Sequence, residues 1–248
     1  MFGVTMKVSE LKERYAEQVN GVKEAIANYR VPVLDRNLLL RAISAAVGSF
    51  TFLFGLFQGG VVFYALMFLL VMVSSFEWNQ ITKGNRWFYL GAVVTIVLPY
   101  TSMMYIYMLP HGAIILMWLT LSIWSTDIAA YFVGRSYGVR KIMPTISPNK
   151  TWAGLWGGMA FSAVSTLVMS MIFGLFFVPH SLFIGMIIAL VAQCGDFTES
   201  AIKRWCGVKD SGFIFPGHGG VLDRMDGFIF TAPLVACYVQ RFSKFFIS

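Results

Sequence analysis

Charged residues are scarce in this chain of 248 residues, because Asp, Glu, Lys and Arg together make up only 12% of it. Soluble domains usually contain about 25% charged residues, so the composition excludes an ordinary soluble domain. Hydrophobic residues instead reach 57%, and the mean hydropathy is +0.69. We therefore expect an all-α polytopic membrane protein, in which the distribution of the net charge of +7 points to the membrane and not to nucleic acid.

Cysteine is rare as well, and the three cysteines lack the spacing of metal ligands. We interpret them as reduced residues in or beside membrane spans: Cys194, Cys206 and Cys237. A cleavable signal peptide is not expected, because residues 1–37 are polar and contain no apolar core of the right kind.

The polar N-terminal region predicts an amphipathic helix. Between residues 6 and 29, apolar side chains recur at steps of three or four, and charged side chains fill other positions. Such a helix lies on the membrane surface, packs on a partner helix, or only anchors the N-terminus. We therefore divide the chain into a cytosolic amphipathic segment, residues 1–37, and a transmembrane domain, residues 38–248.

Seven apolar segments of near-spanning length follow, since a membrane span needs about 20 residues. Their predicted boundaries are 38–57, 59–76, 87–104, 112–134, 152–178, 180–196 and 221–240. We expect about seven transmembrane helices, within a range of six to nine. The fifth segment is long, so it tilts, bends or counts as two pieces.

Lysine and arginine predict the orientation of these segments. Three predicted connections contain neither residue: 58–59, 105–111 and 179. Three others together contain nine: 77–86, 135–151 and 197–220. Because positive residues favour the cytosolic side, the N-terminus and all three charged loops are expected there. Arg241 and Lys244 then fall on the far side, so either the C-terminus is an exception or one segment re-enters without crossing.

Acidic residues gather in one stretch, residues 193–227. It contains five of the seven acidic residues that follow Asp35. A charged side chain at a helix centre in the membrane costs about 2.5–3.5 kcal/mol on insertion scales, so such residues indicate function. The stretch also contains four cations and several glycines, which let the backbone approach a ligand closely. Clustered carboxylates, fixed cations and a glycine turn are what a metal–polyphosphate complex requires.

The same stretch carries a long motif: Ser200-Ala-Ile-Lys203-Arg204, then Lys209-Asp210-Ser211-Gly212, then Pro216-Gly-His218-Gly-Gly-Val-Leu-Asp223-Arg224-Met-Asp226. It resembles the signature of the phosphatidate cytidylyltransferases, which are also called CDP-diacylglycerol synthases. Two upstream pieces are similar to the same family, Asp127–Gly134 and Ser147–Trp152, and Glu77-Trp78 is a weaker match. The resemblance covers about the C-terminal half of the chain.

The resemblance implies a reaction in phospholipid biosynthesis: CTP and phosphatidate give CDP-diacylglycerol and diphosphate. It implies Mg²⁺ as cofactor, leaves a second cation open, and implies a homodimer. The setting it implies is a bacterial inner membrane with the active site facing the cytosol, where nucleoside triphosphates are available.

The resemblance also assigns candidate residues. Those implied for catalysis are Asp223, Asp196, Lys203 and Asp226, of which Asp196, Asp223 and Asp226 are candidate metal ligands. Those expected to contact substrate are Ser147, Lys150, Thr151, Arg204, Lys209, His218, Arg224 and Asp127. From the residues alone, Asp223 and Asp226 share one face if the last span begins there as a helix, and a carboxylate pair suits Mg²⁺.

Structural alternatives stay open at several of these positions. For Asp226 the alternative is an ion pair with Arg224 or Lys203. For Asp127 it is a hydrogen bond to neighbouring helices, and for His218 it is a purely structural role. Lys203 and Glu199 are four residues apart, which also suits a simple helix pair worth about 0.2–0.5 kcal/mol.

Three rival functions use similar residues. Another membrane enzyme that uses CTP, such as a polyprenol or phytol kinase, transfers the γ-phosphate and releases CDP. A transporter places its acidic residues near the midplane on broken helices, whereas the acidic residues here gather at one face. A CDP-alcohol phosphotransferase is disfavoured, because its multi-aspartate pattern is not present.

Overall fold

A computed structural model describes residues 36–212 and 219–242, with side chains from residue 43 to 212 and from 219 to 241. The predicted amphipathic helix at 6–29, almost all of the segment 1–37, and His218 lie outside the described residues. Backbone contacts divide the chain into two units, Met1–Ala42 and Ile43–Ser248. The candidate site lies entirely in the second unit.

The described chain forms eight helical segments and one β-hairpin. In chain order they are α1 (Arg36–Phe57), α2 (Gly60–Thr82), α3 (Arg86–Met108), α4 (Gly112–Tyr137), β1 (Lys141–Met143), β2 (Ser147–Thr151), α5 (Trp152–Phe173), α6 (Val178–Trp205), α7 (Leu222–Met225) and α8 (Phe228–Phe242). Helix α3 begins with a 3₁₀ turn, Arg86–Phe88, and contains a π turn, Val93–Val97. The two strands are antiparallel, and Lys141 pairs with Thr151.

Helices α2 to α6 are each long and apolar enough to cross a membrane. Shorter apolar helices are formed by Ile43–Phe57 in α1 and by Phe228–Arg241 in α8. Each of the seven predicted segments thus corresponds to a helix in the described part of the chain. The predicted all-α polytopic membrane class is confirmed, and the chain is an integral membrane protein. The small β-hairpin was not predicted, because its two strands are short and polar.

Three predicted helix ends were wrong, those of the second, fifth and sixth segments. The fifth segment was expected to reach residue 178, but α5 ends at Phe173 because Gly174 adopts a left-handed conformation with φ of 67° and caps it. The sixth was expected to end at 196, but α6 continues to Trp205. Charged residues end a hydropathic segment, yet they do not end a helix whose charged side chains find partners within the protein.

The upstream family piece Ser147–Trp152 forms strand β2 and the first residue of α5, which follows it directly. Thr151 is the N-cap of α5, and its hydroxyl accepts a hydrogen bond from the Gly154 amide at 3.1 Å. A Cβ atom at Gly154 would lie 2.7 Å from the carbonyl oxygen of Ala130, so glycine permits close packing of α5 on α4. This packing fixes the hairpin next to the C-terminal end of α4.

Buried side chains and close backbone contacts hold the helices together. Trp118 on α4 is fully buried, and its indole donates a hydrogen bond to Thr166 Oγ1 on α5 at 3.1 Å. On the other side, Gly195 of α6 packs directly against the backbone carbonyl of Asp226. The segment between α7 and α8 therefore lies against the middle of α6, which carries the acidic residues.

Candidate active site

The charged connections meet at one end of the helices. Phe88 after α2 contacts Trp205 at the end of α6, with ring centroids 5.5 Å apart. Arg204 Nε donates to the carbonyl oxygen of Ile146 in the hairpin loop at 3.4 Å. The described residues of these regions therefore lie close together, and their placement on the cytosolic side stays a prediction.

Lys203 and Asp223 form the first charged pair of the site. Lys203 Nζ donates to Asp223 Oδ1, and both side chains are nearly buried, at 12% and 11% exposure. Asp223 Oδ2 accepts three further hydrogen bonds, from the Ser211 amide at 2.9 Å, the Ser211 hydroxyl at 2.8 Å and the Gly220 amide at 2.8 Å. Asp223 therefore links α6 to Ser211 and Gly220 of the connection between α6 and α7, residues 206–221, which we call the signature loop.

These contacts also set the ionisation of Asp223. Burial raises the pKa of its carboxyl group, but the Lys203 ammonium and the two amides outweigh burial and hold the pKa below its usual value. Asp223 is thus a carboxylate at neutral pH. Lys203 has a second acidic partner, because Glu199 Oε1 lies 3.1 Å from Nζ and Glu199 is only 3% exposed. The expected helix pair of Glu199 and Lys203 is present, and Asp223 extends it.

Lys150 and Asp196 form a second charged pair. Strand β2 brings Lys150 to α6, where its ammonium contacts Asp196 Oδ2 and lies 4.3 Å from the centre of the Phe197 ring. Ser200 donates to the other oxygen of Asp196 at 3.3 Å. Both charged residues were predicted separately as site residues, and the structure brings them together.

Asp226 lies beside this second pair. It is partly buried, and its Oδ1 accepts the Gly227 amide at 2.7 Å. Burial and the negative charges of Asp196, Glu199 and Asp127 raise its pKa well above the usual value. Lys203, one of the two ion-pair partners considered for Asp226, pairs instead with Asp223 and Glu199.

The site contains more carboxylates than lysines, and this excess of negative charge suits a hard cation. Mg²⁺ usually takes one or two protein carboxylates and completes its shell with waters and substrate phosphates. Within residues 36–212 and 219–242, no three acidic, histidine or cysteine side chains converge closely enough to form a metal cage by themselves. The donor set therefore fits a cation shared with a polyphosphate and does not fit a closed structural metal site.

An apolar groove of about 510 Å³ lies among the helices and includes two charged residues in its lining. Its walls come mainly from α1 and α2, with α4, α7 and the start of α8. Arg224 and Asp127 are its charged lining residues, and Gln193 Nε2 lies 3.4 Å from Asp127 Oδ1. The neighbour-helix hydrogen bond considered for Asp127 is thus present but long, and Asp127 also lines the groove.

The remaining predicted residues lie around this centre. Ser147 begins β2, Arg204 bonds to Ile146 and Val208 carbonyls, and Lys209 is exposed in the loop after α6. The Thr151 hydroxyl caps α5 and is buried. Substrate contacts by these residues stay predictions, as does the role of His218.

Two buried acidic residues were not predicted as site residues. Glu199 balances Lys203, and Glu77 of α2 accepts backbone hydrogen bonds from Val221 and Leu222. The signal for Glu77 was a carboxylate directly after an apolar segment, in the Glu77-Trp78 pair that weakly matches the family. The sequence did not predict its partners, Val221 and Leu222, because they lie more than 140 residues further along the chain.

Known proteins resemble this chain over most of its length. The sequence model of the cytidylyltransferase family matches residues 17–242. The phosphatidate cytidylyltransferase of Rickettsia prowazekii (strain Madrid E) is 33% identical over 210 residues, which cover 82% of this chain and 92% of that protein.

The proteins of the same name from Brucella suis biovar 1 (strain 1330) and Bacillus subtilis (strain 168) are 42% identical over 138 residues and 43% identical over 135 residues. Each match covers 54% of this chain and 50% of the relative. The chain therefore spans about half the length of these two relatives.

Proposed function

Because the chain belongs to the cytidylyltransferase family, we propose that it is a phosphatidate cytidylyltransferase. It joins CTP and phosphatidate to give CDP-diacylglycerol and diphosphate. The observation that carries the proposal is the presence of two lysine–carboxylate pairs together with an apolar groove, which is lined by Arg224, the residue after Asp223. A nucleotide and a lipid need these two kinds of surface side by side.

The lipid substrate fits the groove. Phosphatidate has two acyl chains and a phosphate monoester, so it needs an apolar channel that ends near a cation. The groove between α1 and α2 supplies the channel, and Arg224 supplies a guanidinium group suited to phosphate recognition. Arg224 therefore orients the lipid phosphate toward the acidic centre.

The nucleotide is held by the lysines. Lys150 and Lys203 neutralise phosphate oxygens of CTP, and their carboxylate partners fix the position of each ammonium. Asp196, Asp223 and Asp226 are the residues that would hold Mg²⁺, and Asp196 and Asp223 would each exchange a lysine contact for the cation. When bound, Mg²⁺ neutralises charge on the phosphates and on the departing diphosphate.

The transfer is direct. An oxygen of the lipid phosphate attacks the α-phosphorus of CTP, the bond from that phosphorus to the bridging β-phosphate oxygen breaks, and diphosphate leaves with the electron pair. A phosphate monoester has a second pKa of about 6, so it is largely ionised at neutral pH and needs no general base. The protein contributes positioning and charge neutralisation.

One experiment tests the reaction against its rivals. The purified protein is incubated with phosphatidate, Mg²⁺ and CTP that carries label either in the cytosine ring or in the γ-phosphate. We expect cytosine label in the lipid and γ-label in diphosphate. Gamma-label in the lipid would identify a lipid kinase, and unchanged CTP with lipid present would refute an enzyme of either kind.

A matched pair of lysine variants accompanies this assay. Lys203→Met removes the cation between Asp223 and Glu199 and should abolish product formation. Lys141→Met changes an exposed lysine on β1 and should leave product formation unchanged. We further propose a bacterial inner membrane with the site facing the cytosol, on the basis of the bacterial relatives and the lysine and arginine asymmetry. A homodimer stays a prediction.

A further inference from the structure

Glu77 is a fully buried acidic residue that the reaction above does not use. It lies near the end of α2, within an apolar span, and is 1% exposed. A carboxylate at such a position is costly unless donors surround it. Its donors come from the segment that carries Asp223, at the opposite end of the sequence.

The carboxylate of Glu77 holds both ends of the signature loop. Oε1 accepts the Val221 amide at 2.9 Å and Oε2 accepts the Leu222 amide at 3.0 Å. The Ser211 hydroxyl, at the other end of the loop, lies 3.3 Å from Oε2. The Glu77 carboxylate therefore holds both ends of the signature loop against α2.

The loop is shaped to fit this carboxylate. A Cβ atom at Gly212 would lie 2.7 Å from Glu77 Oε1, and one at Gly220 would clash with Oε2 and with the Ser211 hydroxyl. Glycine at both positions lets the backbone close around the Glu77 side chain. Ser211 also contacts Asp223 Oδ2 at 2.8 Å, so the two acidic residues are neighbours through one hydroxyl.

We propose that Glu77 is a positioning residue, which fixes Asp223, and through it Lys203, by holding the backbone at Val221 and Leu222. The proposal rests on the proposed function only for its kinetic consequence. Asp223 directly follows the two amides that Glu77 binds, so a shift of those amides moves Asp223 away from Lys203. Glu77 itself contacts no substrate.

Both oxygens of Glu77 are needed for this role. A glutamine has the same shape but only one acceptor oxygen, so its NH₂ group would face one of the two backbone amides donor to donor. Glu77→Gln should therefore release one amide of the Val221–Leu222 pair without creating a cavity. This makes it the sharpest variant for a test.

The first measurement is independent of activity. Hydrogen–deuterium exchange of the peptide covering residues 219–226 should speed up in Glu77→Gln, while peptides of α4 should exchange as in the wild type. The second is kinetic: kcat/KM for CTP should fall about 10- to 100-fold, the usual effect of losing a residue that supports a ligand-binding group. KM for CTP should rise, because Lys203 moves; a mere loss of folded protein would leave KM unchanged.

Ser74→Ala is the matched control. Ser74 lies on the same helix, is fully buried, and bonds to the Tyr100 hydroxyl at 2.8 Å. This variant should lose thermal stability yet keep the wild-type KM for CTP and the wild-type exchange of residues 219–226. Gly212→Ala is a second test from the loop side, since its methyl group crowds Oε1, and it should reproduce both effects of Glu77→Gln.

The results distinguish failure of the positioning role of Glu77 from failure of the proposed function. Unchanged exchange at 219–226 in both Glu77→Gln and Gly212→Ala would overturn the proposal, whatever the activity. Faster exchange with an unchanged KM for CTP would also overturn it, because the contact would then not position the site. If the wild type makes no CDP-lipid, the proposed function fails, and the exchange measurement still decides whether Glu77 holds the segment.

Discussion

Replacing Asp223 with asparagine removes one charge from the centre of the site and little else. Asp223 Oδ2 accepts three hydrogen bonds from Ser211 and Gly220, and an asparagine oxygen can keep all three. The new NH₂ group then replaces Oδ1 and faces the Lys203 ammonium, donor to donor. Lys203 keeps Glu199 as its remaining acidic partner at 3.1 Å.

The magnitude follows from these contacts. Breaking a fully buried ion pair by removing one partner costs about 3–5 kcal/mol. Because Lys203 is 12% exposed and retains Glu199, we expect only the loss of a charged hydrogen bond, about 1.5–3 kcal/mol of folding free energy. If the same loss appears in the transition state, kcat/KM falls about 10- to 150-fold.

This range separates two roles of Asp223. A loss within it means that Asp223 acts by holding Lys203. A loss of more than about 1,000-fold exceeds what the ion pair explains and would indicate that Asp223 binds the metal or the transferred group. The assay is CDP-diacylglycerol formation at saturating Mg²⁺ and varied CTP, with thermal unfolding in detergent measured on the same preparations.

The control is Asp35→Asn, which changes an acidic residue upstream of the signature and should have no measurable effect. Asp223→Asn should still insert and purify normally, because the three hydrogen bonds to the loop survive. Activity of Asp223→Asn within about threefold of the wild type would refute the reasoning, since that corresponds to less than 1 kcal/mol.

Three further predictions concern orientation, mechanism and lipid binding. In a cysteine-free background, Arg140→Cys and Val208→Cys should react with an impermeant thiol reagent only from the cytosolic side; labelling from outside would reverse the proposed orientation. Direct transfer forbids exchange of labelled diphosphate into CTP without lipid, so exchange in a lipid-free preparation that disappears in His218→Ala would instead indicate a cytidylyl-histidine intermediate. Leu70→Trp narrows the groove and should raise KM for phosphatidate while leaving KM for CTP near the wild-type value. An unchanged KM for phosphatidate would mean that the lipid chains lie elsewhere.

Hydropathy predicted the existence of the spans well, because each apolar segment has to bury or face lipid along its whole length. It failed where polar residues continue a helix. Helix α2 was expected to end at residue 76 but runs through Glu77 to Thr82, since amides from the signature loop satisfy that carboxylate. Helix α6 likewise passes Asp196, whose carboxylate contacts Lys150 and Ser200.

The sequence predicted which residues form the candidate site better than it predicted which of them contact each other. The family resemblance named Lys150, Asp196, Lys203 and Asp223, and all four lie at the centre of the described site. Which lysine contacts which aspartate depends on how β2 and α7 pack against α6, and no local pattern encodes this. The metal ligands and substrate contacts among these residues stay predictions.

The groove has a consequence for how such an enzyme can diversify. Its apolar walls come largely from α1 and α2, whereas the paired charges come from β2, α6 and α7. Substitutions at wall positions such as Gly48, Leu66 or Val73 change the width and depth available to hydrocarbon and leave the charged pairs untouched. Under the proposed function, the hydrocarbon and the phosphates are therefore held by different elements, so selectivity for one can change without a change in the contacts to the other.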